Sequence, residues 1–258
     1  MSTEVRDDGK PGGVSGLALT VGSLFAGIGG FDLGLERAGM EVRWQVEIDP
    51  YCQRVLARHW PDCGQWDDVR TFPPDPAEDW TVDVICGGFP CQDISIAGNR
   101  HHKGAGLDGA RSGLWFEYAR IVRVLRPRFV IVENVPALFT LGFERVLSDL
   151  AEGGYDAEWA LLSAANCGAP QTRKRLFILA YPKGTRLDGN KQKMGRQAGQ
   201  GFSELLGWDT EPAVCRVANG VPRRMVRDPI RSLGNSIVPQ VTEFIGRRIV
   251  ECTTCRKP

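Results

Sequence analysis

No stretch of this chain approaches the roughly twenty consecutive apolar residues that a membrane-spanning helix needs; runs such as Val130–Val132 are far too short. The first residues, Met1 to Gly13, are polar and carry acids where a secretion signal would carry an apolar run, so a soluble intracellular protein is expected. Histidine is scarce, three residues in all, and His101 and His102 have no companions at metal-ligand spacing. Cys252-Thr-Thr-Cys255 is a lone pair where structural zinc takes four ligands, so no metal is expected. No internal repeat is present, and composition departs little from the globular average, which excludes collagen, coiled coil and long disorder. The eight cysteines, without a secretion signal, are expected to be reduced thiols rather than a disulfide framework.

What is present is an alternation. An apolar run Leu17–Phe25, a glycine-rich turn and a helical stretch Gly30–Ala38 are followed by a strand-like Val42–Ile48. Tyr51–Trp60 reads as a helix led by Pro50, and Val82–Cys86 as a short buried strand. Gly87–Arg111 is glycine-rich and without period, which predicts a long loop. Then come helix Ser112–Leu125, strand Phe129–Glu133, helix Phe143–Leu150, and strands Glu158–Leu162 and Arg175–Tyr181. Ile237–Val250 is amphipathic, with Val241, Phe244, Ile245 and Ile249 on one side. Strands alternating with helices predict an α/β fold with a mostly parallel sheet covered on both faces. Trp44, Trp60 and Trp115 are expected in the core. Residues 1–16 read as a flexible tail, 17–182 plus 232–251 as the domain built on this sheet, 183–231 as a small irregular region and 252–258 as a second tail.

The net charge of +1 conceals a division: residues 183–258 carry 14 Lys and Arg against 7 Asp and Glu, and the remainder 18 against 24. Such segregation suits a polyanionic partner for the C-terminal third, or a solvated basic face. Arg223, Arg224 and Arg227 are its candidate phosphate contacts.

Phe25-Ala-Gly-Ile-Gly-Gly30 follows the first expected strand and opens a helix. Glycines there let backbone approach a ligand, and a helix N-terminus favours an anionic group. Glu47 lies twenty residues beyond Gly27 at the end of the second strand, where an acid accepts hydrogen bonds from ribose hydroxyls. Together they argue for an adenosine-containing cofactor. Cys91 follows a buried strand at the carboxyl edge, where α/β proteins bind ligands. Glu133 closes another apolar strand at that edge, either as a solvent-facing acid or as a proton donor with a raised pKa. Thiol, carboxylic acid and adenosine cofactor together suit attack on an electron-poor ring.

Seven motifs in order then carry a resemblance: Phe25-Ala-Gly-Ile-Gly-Gly-Phe31, Glu47 with Ile48, Asp68-Val69, Gly88-Phe-Pro-Cys-Gln92, Glu133-Asn-Val135, Gln171-Thr-Arg-Lys-Arg175 and Gly234-Asn-Ser-Ile-Val238. The chain resembles the DNA cytosine-5 methyltransferases over about residues 19–182 and 230–250. The resemblance implies a Rossmann-like S-adenosylmethionine-dependent methyltransferase sheet with a small irregular recognition segment. It further implies S-adenosyl-L-methionine as cofactor and a cytosine flipped from double-stranded DNA as substrate. On that basis Phe25 packs on the adenine, the backbone from Gly27 through Gly29 to Gly30 approaches the methionine end, and Glu47 binds the ribose. Ile48 contacts the adenine face, Asp68 takes the adenine amino group with Asp67 as rival, Pro90 joins the cofactor-binding set, and Asn235 knits the C-terminal segment to it. Cys91 is the nucleophile, Glu133 the acid at N3 and N4 of the base, Arg175 a donor to its carbonyl, and Arg173 a support for the base and Cys91. The stretch Gln92–Arg111 resembles the family's mobile catalytic loop, with Ser95, Arg100 and Lys103 as candidate DNA contacts.

The resemblance also implies a monomer acting in the cytoplasm of a bacterial or phage-infected cell, with a cognate restriction endonuclease left open. The chain departs from the pattern between Pro182 and Arg231, where most relatives have a longer recognition region with features not seen here. Three alternatives stand beside the leading reading. A tRNA cytosine-5 methyltransferase shares the whole kit; a catalytically silent DNA-binding regulator would not need Cys91, Glu133 and Arg175; a dinucleotide oxidoreductase explains Gly27 and Glu47 but neither Cys91 nor Glu133.

Overall fold

The computed structural model describes residues 18–74, 78–90, 113–169, 172–185 and 236–254. Strand β1 (Thr20–Leu24) runs through the glycine turn into helix α1 (Gly30–Arg37), followed by β2 (Glu41–Val46), α2 (Pro50–His59) and the short β3 (Gly64–Trp66). A three-residue 3-10 turn, Val69–Thr71, precedes β4 (Val84–Gly88), α3 (Leu114–Leu125), β5 (Phe129–Asn134), α4 (Leu138–Leu141), α5 (Phe143–Glu152) and β6 (Tyr155–Ser163). The strand β7 (Lys174–Pro182) and helix α6 (Pro239–Thr254) complete the described chain.

The seven strands lie in the order β3-β2-β1-β4-β5-β7-β6. The first five are parallel, as expected of strands joined by crossover helices. β7 runs antiparallel between β5 and β6. The sequence reading did not resolve this hairpin; only residues 164–173 join its arms, too few for the crossover that parallel pairing demands. Burial sorts the helices to two faces. Trp115, Tyr118, Ile121 and Val122 of α3, with Val146 and Leu150 of α5, cover Leu24, Ile85, Val130 and Val132. Phe31 and Leu35 of α1, with Val241, Ile245 and Ile249 of α6, cover Val21, Val84 and Ile131. Each such side chain contributes about 1.5–3 kcal/mol by leaving water.

Three expectations shift. Gly87 and Gly88, expected in a loop, are the last residues of β4, pairing with Leu24 and Glu133. A side chain at Gly87 would meet the Leu24 carbonyl oxygen at 2.2 Å, so strands this close require glycine. Helix α6 continues to Thr254, past the boundary expected at 251. Trp44 and Trp115 are buried, whereas Trp60 is only partly covered; its ring packs over Gly29 and its Nε1 donates to Glu36 at 2.7 Å.

Helix α6 comes from the far end of the chain yet docks on α1. A Cβ at Gly34 would lie 1.9 Å from Thr242 Oγ1 and 2.4 Å from the Pro239 carbonyl, and one at Gly30 2.5 Å from that of Ile237. Absence of side chains at these two positions, one helical turn apart, lets the backbones approach. The Thr242 hydroxyl, fully buried, donates to the Gly30 carbonyl at 3.2 Å. Ser236–Val238 is thereby held beside the glycine turn.

Candidate active site

The turn between β1 and α1 is built from unusual backbone. Phe25 has φ 54°, Gly27 59° and Gly29 84°, all in the left-handed region. For Phe25 this is strained, and such strain is kept where surrounding contacts enforce it. The Ala26 amide donates to the Val46 carbonyl at 3.1 Å, and the Gly27 amide donates to Glu47 Oε2 at 2.7 Å. Open space surrounds the position a Cβ would take on Gly27.

Glu47 does more than the sequence suggested. Its second oxygen, Oε1, accepts from the Asp49 amide at 2.8 Å, and its carbonyl accepts from Gln53 Nε2 at 2.7 Å. One carboxylate thus clips the glycine turn to the start of α2, where Asp49 caps the helix through the amides of Tyr51 and Cys52. Burial raises the Glu47 pKa, opposed by the Asp49 and Gly27 amides. Ile48, 63% exposed, projects beside it. Asp68 caps the 3-10 turn and is gripped by Arg70, with Nη2 to Oδ2 at 2.6 Å. That contact holds its carboxyl below the usual range. The rival Asp67 is exposed.

Beneath the turn lies a buried polar group that sequence reading missed. Asp32, in the first turn of α1, accepts from Gln45 Nε2 at 2.9 Å and from the Ser23 hydroxyl at 3.3 Å. All three are essentially inaccessible to solvent, and burial pushes Asp32 up to about 6. Its only sequence signal was an acid on the apolar side of a helix.

The second half of the site stands at the ends of β4 and β5. Gly88 pairs in register with Glu133, so Cys91 follows three residues beyond the strand end neighbouring that acid. Arg175 Nε lies 2.9 Å from Glu133 Oε1, with the two side chains 23% and 15% exposed. Burial raises Glu133 to about 7 despite Arg175 and Arg173, which act in the opposite direction. A Cβ at Gly88 would fall 2.4 Å from Glu133 Oε2, so the carboxyl occupies space that only glycine leaves. A glycine closing a strand was the signal available. Arg173 Nη1 donates to the Ser236 carbonyl at 2.9 Å, and it is this tie to the C-terminal segment that the structure shows for it. Asn134 Nδ2 donates to the Phe89 carbonyl at 3.3 Å, steadying the chain as it approaches Pro90.

A cavity of about 520 Å³ opens beside the glycine turn, with Gly29, Gly30, Trp60, Arg173 and Ser236 in its walls; Phe25, Glu47, Ile48 and Asp68 lie outside it. Burial pushes the thiols of Cys63 and Cys167 up to about 12 and about 11, and raises that of Cys86 well above its ordinary value. Such thiols make poor nucleophiles at neutral pH. Cys91, Ser95, Arg100, Lys103, Arg223, Arg224, Arg227 and Asn235 fall outside the described residues, as do the tail 1–16 and nearly all of 183–231. Among the described residues no cluster of three or more potential metal ligands occurs, and no helix is long and apolar enough to cross a membrane.

Residues 19–203 match the family model of the C-5 cytosine-specific DNA methylases. The Type II methyltransferase M.XorII of Xanthomonas oryzae pv. oryzae is 34% identical over 189 residues, 67% of this chain and 43% of that protein. M2.BsuMI of Bacillus subtilis, another Type II methyltransferase, is 34% identical over 63% of this chain and 42% of its own length. Among solved structures, a nominal DNA modification methyltransferase encoded within an E. coli prophage superposes with a TM-score of 0.56 at 29% identity, covering 68% of this chain and 50% of that one. The chain spans under half the length of these curated relatives.

Proposed function

From the premise that the chain belongs to the C-5 cytosine-specific DNA methylase family, we propose that it methylates carbon 5 of a cytosine flipped out of duplex DNA, with S-adenosyl-L-methionine as donor. The observation that carries this reading is the largely covered Glu133–Arg175 ion pair, set in register with the strand end that leads to Cys91. Family membership makes the methyl donor the expected cofactor, and the residues present suit it. The glycine turn offers open space at Gly27, Ile48 offers an exposed apolar surface at the end of β2, and Asp68 offers a carboxylate at the next turn. When bound, the cofactor supplies an electrophilic methyl on a sulfonium. Phe25, Glu47, Ile48 and Asp68 would hold its adenosine end, and Gly27, Gly29, Gly30 and the Ser236 segment its methionine end.

The chain's own groups activate the base. The Cys91 thiolate adds to carbon 6 as Glu133 delivers its proton to N3, which turns the ring into an enamine nucleophilic at carbon 5. Arg175 donates to the base carbonyl and keeps Glu133 oriented; Arg173 secures Ser236 behind it. Once carbon 5 carries the methyl, loss of its proton to water expels the thiolate, and N3 returns its proton to Glu133, restoring the ring and the acid. A carboxyl raised to about 7 suits this, since near neutrality it both holds and releases a proton. Residues 183–231, with Arg223, Arg224 and Arg227, and the stretch Gln92–Arg111, with Ser95, Arg100 and Lys103, are the DNA-contacting parts on this reading.

Duplex DNA carrying 5-fluorocytosine in its target site tests the step, because fluorine cannot leave as the proton does. The purified protein should accumulate a covalent adduct stable to denaturant, and Cys91→Ser should form none. Appreciable methylation by the Ser variant would refute the mechanism. Bisulfite sequencing of DNA from expressing cells reports activity and site together; modified tRNA with untouched DNA would favour the RNA enzyme instead.

A further inference from the structure

We infer that Arg120 is a positioning residue for the adenine end of the cofactor, acting from helix α3 on the turn that presents Asp68; this rests on the reading above in which Asp68 takes the adenine amino group. The turn Val69–Thr71 has three residues, closed by Thr71 and Phe72 amides donating to the Asp68 and Val69 carbonyls at 3.0 and 3.4 Å. So short a piece cannot hold itself in water. Its support comes from outside. Val69 and Phe72 are buried against the α3 face of the core. Arg120 Nη2 donates to the Val69 carbonyl at 3.0 Å and the Phe72 carbonyl at 2.6 Å, gripping both ends of the turn. Arg120 Nε is itself fixed by Glu117 Oε2 at 2.6 Å, one helical turn earlier.

The same helix also backs Phe25. The Tyr118 ring stacks beneath Phe25, centroids 6.5 Å apart and planes 22° apart, while its hydroxyl donates to the Ile131 carbonyl at 3.0 Å. Phe25 and Asp68, two of the residues expected at the adenine, are therefore both referenced to α3 through residues two positions apart. Arg70 also touches Asp68, but it is 61% exposed, and an ion pair in water orders little. Arg120 contacts no position expected to meet cofactor or substrate; its effect runs through the backbone of the turn.

The test uses the full chain, with S-adenosylhomocysteine as calorimetric probe and methylation kinetics alongside. Arg120→Met should raise the Kd of the probe and the KM for S-adenosylmethionine about tenfold, while kcat at saturating cofactor stays within about twofold. Arg120→Lys should recover much of the affinity, since an ammonium still donates to a carbonyl. On an Asp68→Ala background Arg120→Met should add little, because both changes act on one turn. Wild-type Kd and KM in Arg120→Met, or an undiminished loss on the Asp68→Ala background, would overturn the inference. Glu117→Gln, which leaves Arg120 in place without its anchor, should show the same split at smaller size; where Arg120→Met does not fold, an unchanged Kd in Glu117→Gln overturns it instead. A wild-type protein that binds no S-adenosyl ligand fails the parent reading, and the inference with it, which separates that outcome from an Arg120 variant that binds as wild type does.

Discussion

Burial and two guanidinium groups pull Glu133 in opposite directions, and burial prevails, leaving its pKa raised to about 7. If its proton goes to the base, kcat/KM should fall as pH rises through about 7. Glu133→Gln should lose that descending limb and at least about a hundredfold in rate, the lower end of what a positioned general acid contributes; rate–pH profiles of both proteins check it. Gly88→Ala should mimic part of this loss, since the added methyl occupies the place of Glu133 Oε2. Asp32 makes a stability prediction of unusual sign. Its folded pKa is raised from 3.8 to about 6, so between those values the folded state holds more protons than the unfolded chain, and stability drops as pH climbs through that window. Asp32→Asn, which keeps the shape without the charge, should gain on wild type from pH 4.5 to pH 8 by up to about 2 kcal/mol. Urea unfolding at the two pH values measures the difference.

Among elements, those with a local signature were legible in sequence. Pro50 after Asp49 announced α2, the glycines announced the turn after β1, and the apolar runs before Gly87 and Glu133 announced β4 and β5. What the sequence withheld was partnership. β3 is three residues long and has no period to read. β7 lies between β5 and β6 through pairings such as Val132 with Ile178, which no local pattern encodes. The site divides in the same way: Glu47 and Glu133 were legible as strand-end acids, whereas the clip from Glu47 to the Gly27 amide and the Arg120 grip, 48 and 51 residues from its carbonyls, are contacts at a distance. The α1–α6 contact belongs to this class and makes its own prediction. Gly34→Ala places a methyl against Thr242 Oγ1, so α6 must move outward. Overpacking of this kind costs about 1–3 kcal/mol, and amide exchange from Val241 to Ile249 should quicken before the rest of the core responds.

For the molecule as a whole, the proposed function assigns the basic excess beyond residue 182 to DNA affinity rather than to chemistry. Neutralising Arg223, Arg224 and Arg227 together should weaken binding to every DNA sequence alike and reduce the slope of log K against log salt by up to ~3. Titrations at several salt concentrations measure it, and turnover at saturating DNA should change little. The return of α6 to α1 has a further consequence. Thr185 and Ser236 both leave from the same folded body, one from the hairpin beside β6 and the other from the helix locked onto α1. The two ends of the described chain on either side of residues 186–235 are thus anchored on one body. For a flexible loop between two fixed points, closure entropy grows only with the logarithm of length, and doubling the length costs about 0.6 kcal/mol. On the proposed reading, in which residues 183–231 contact DNA, exchanging that stretch for a shorter or longer one should leave the Glu133–Arg175 pair where it stands.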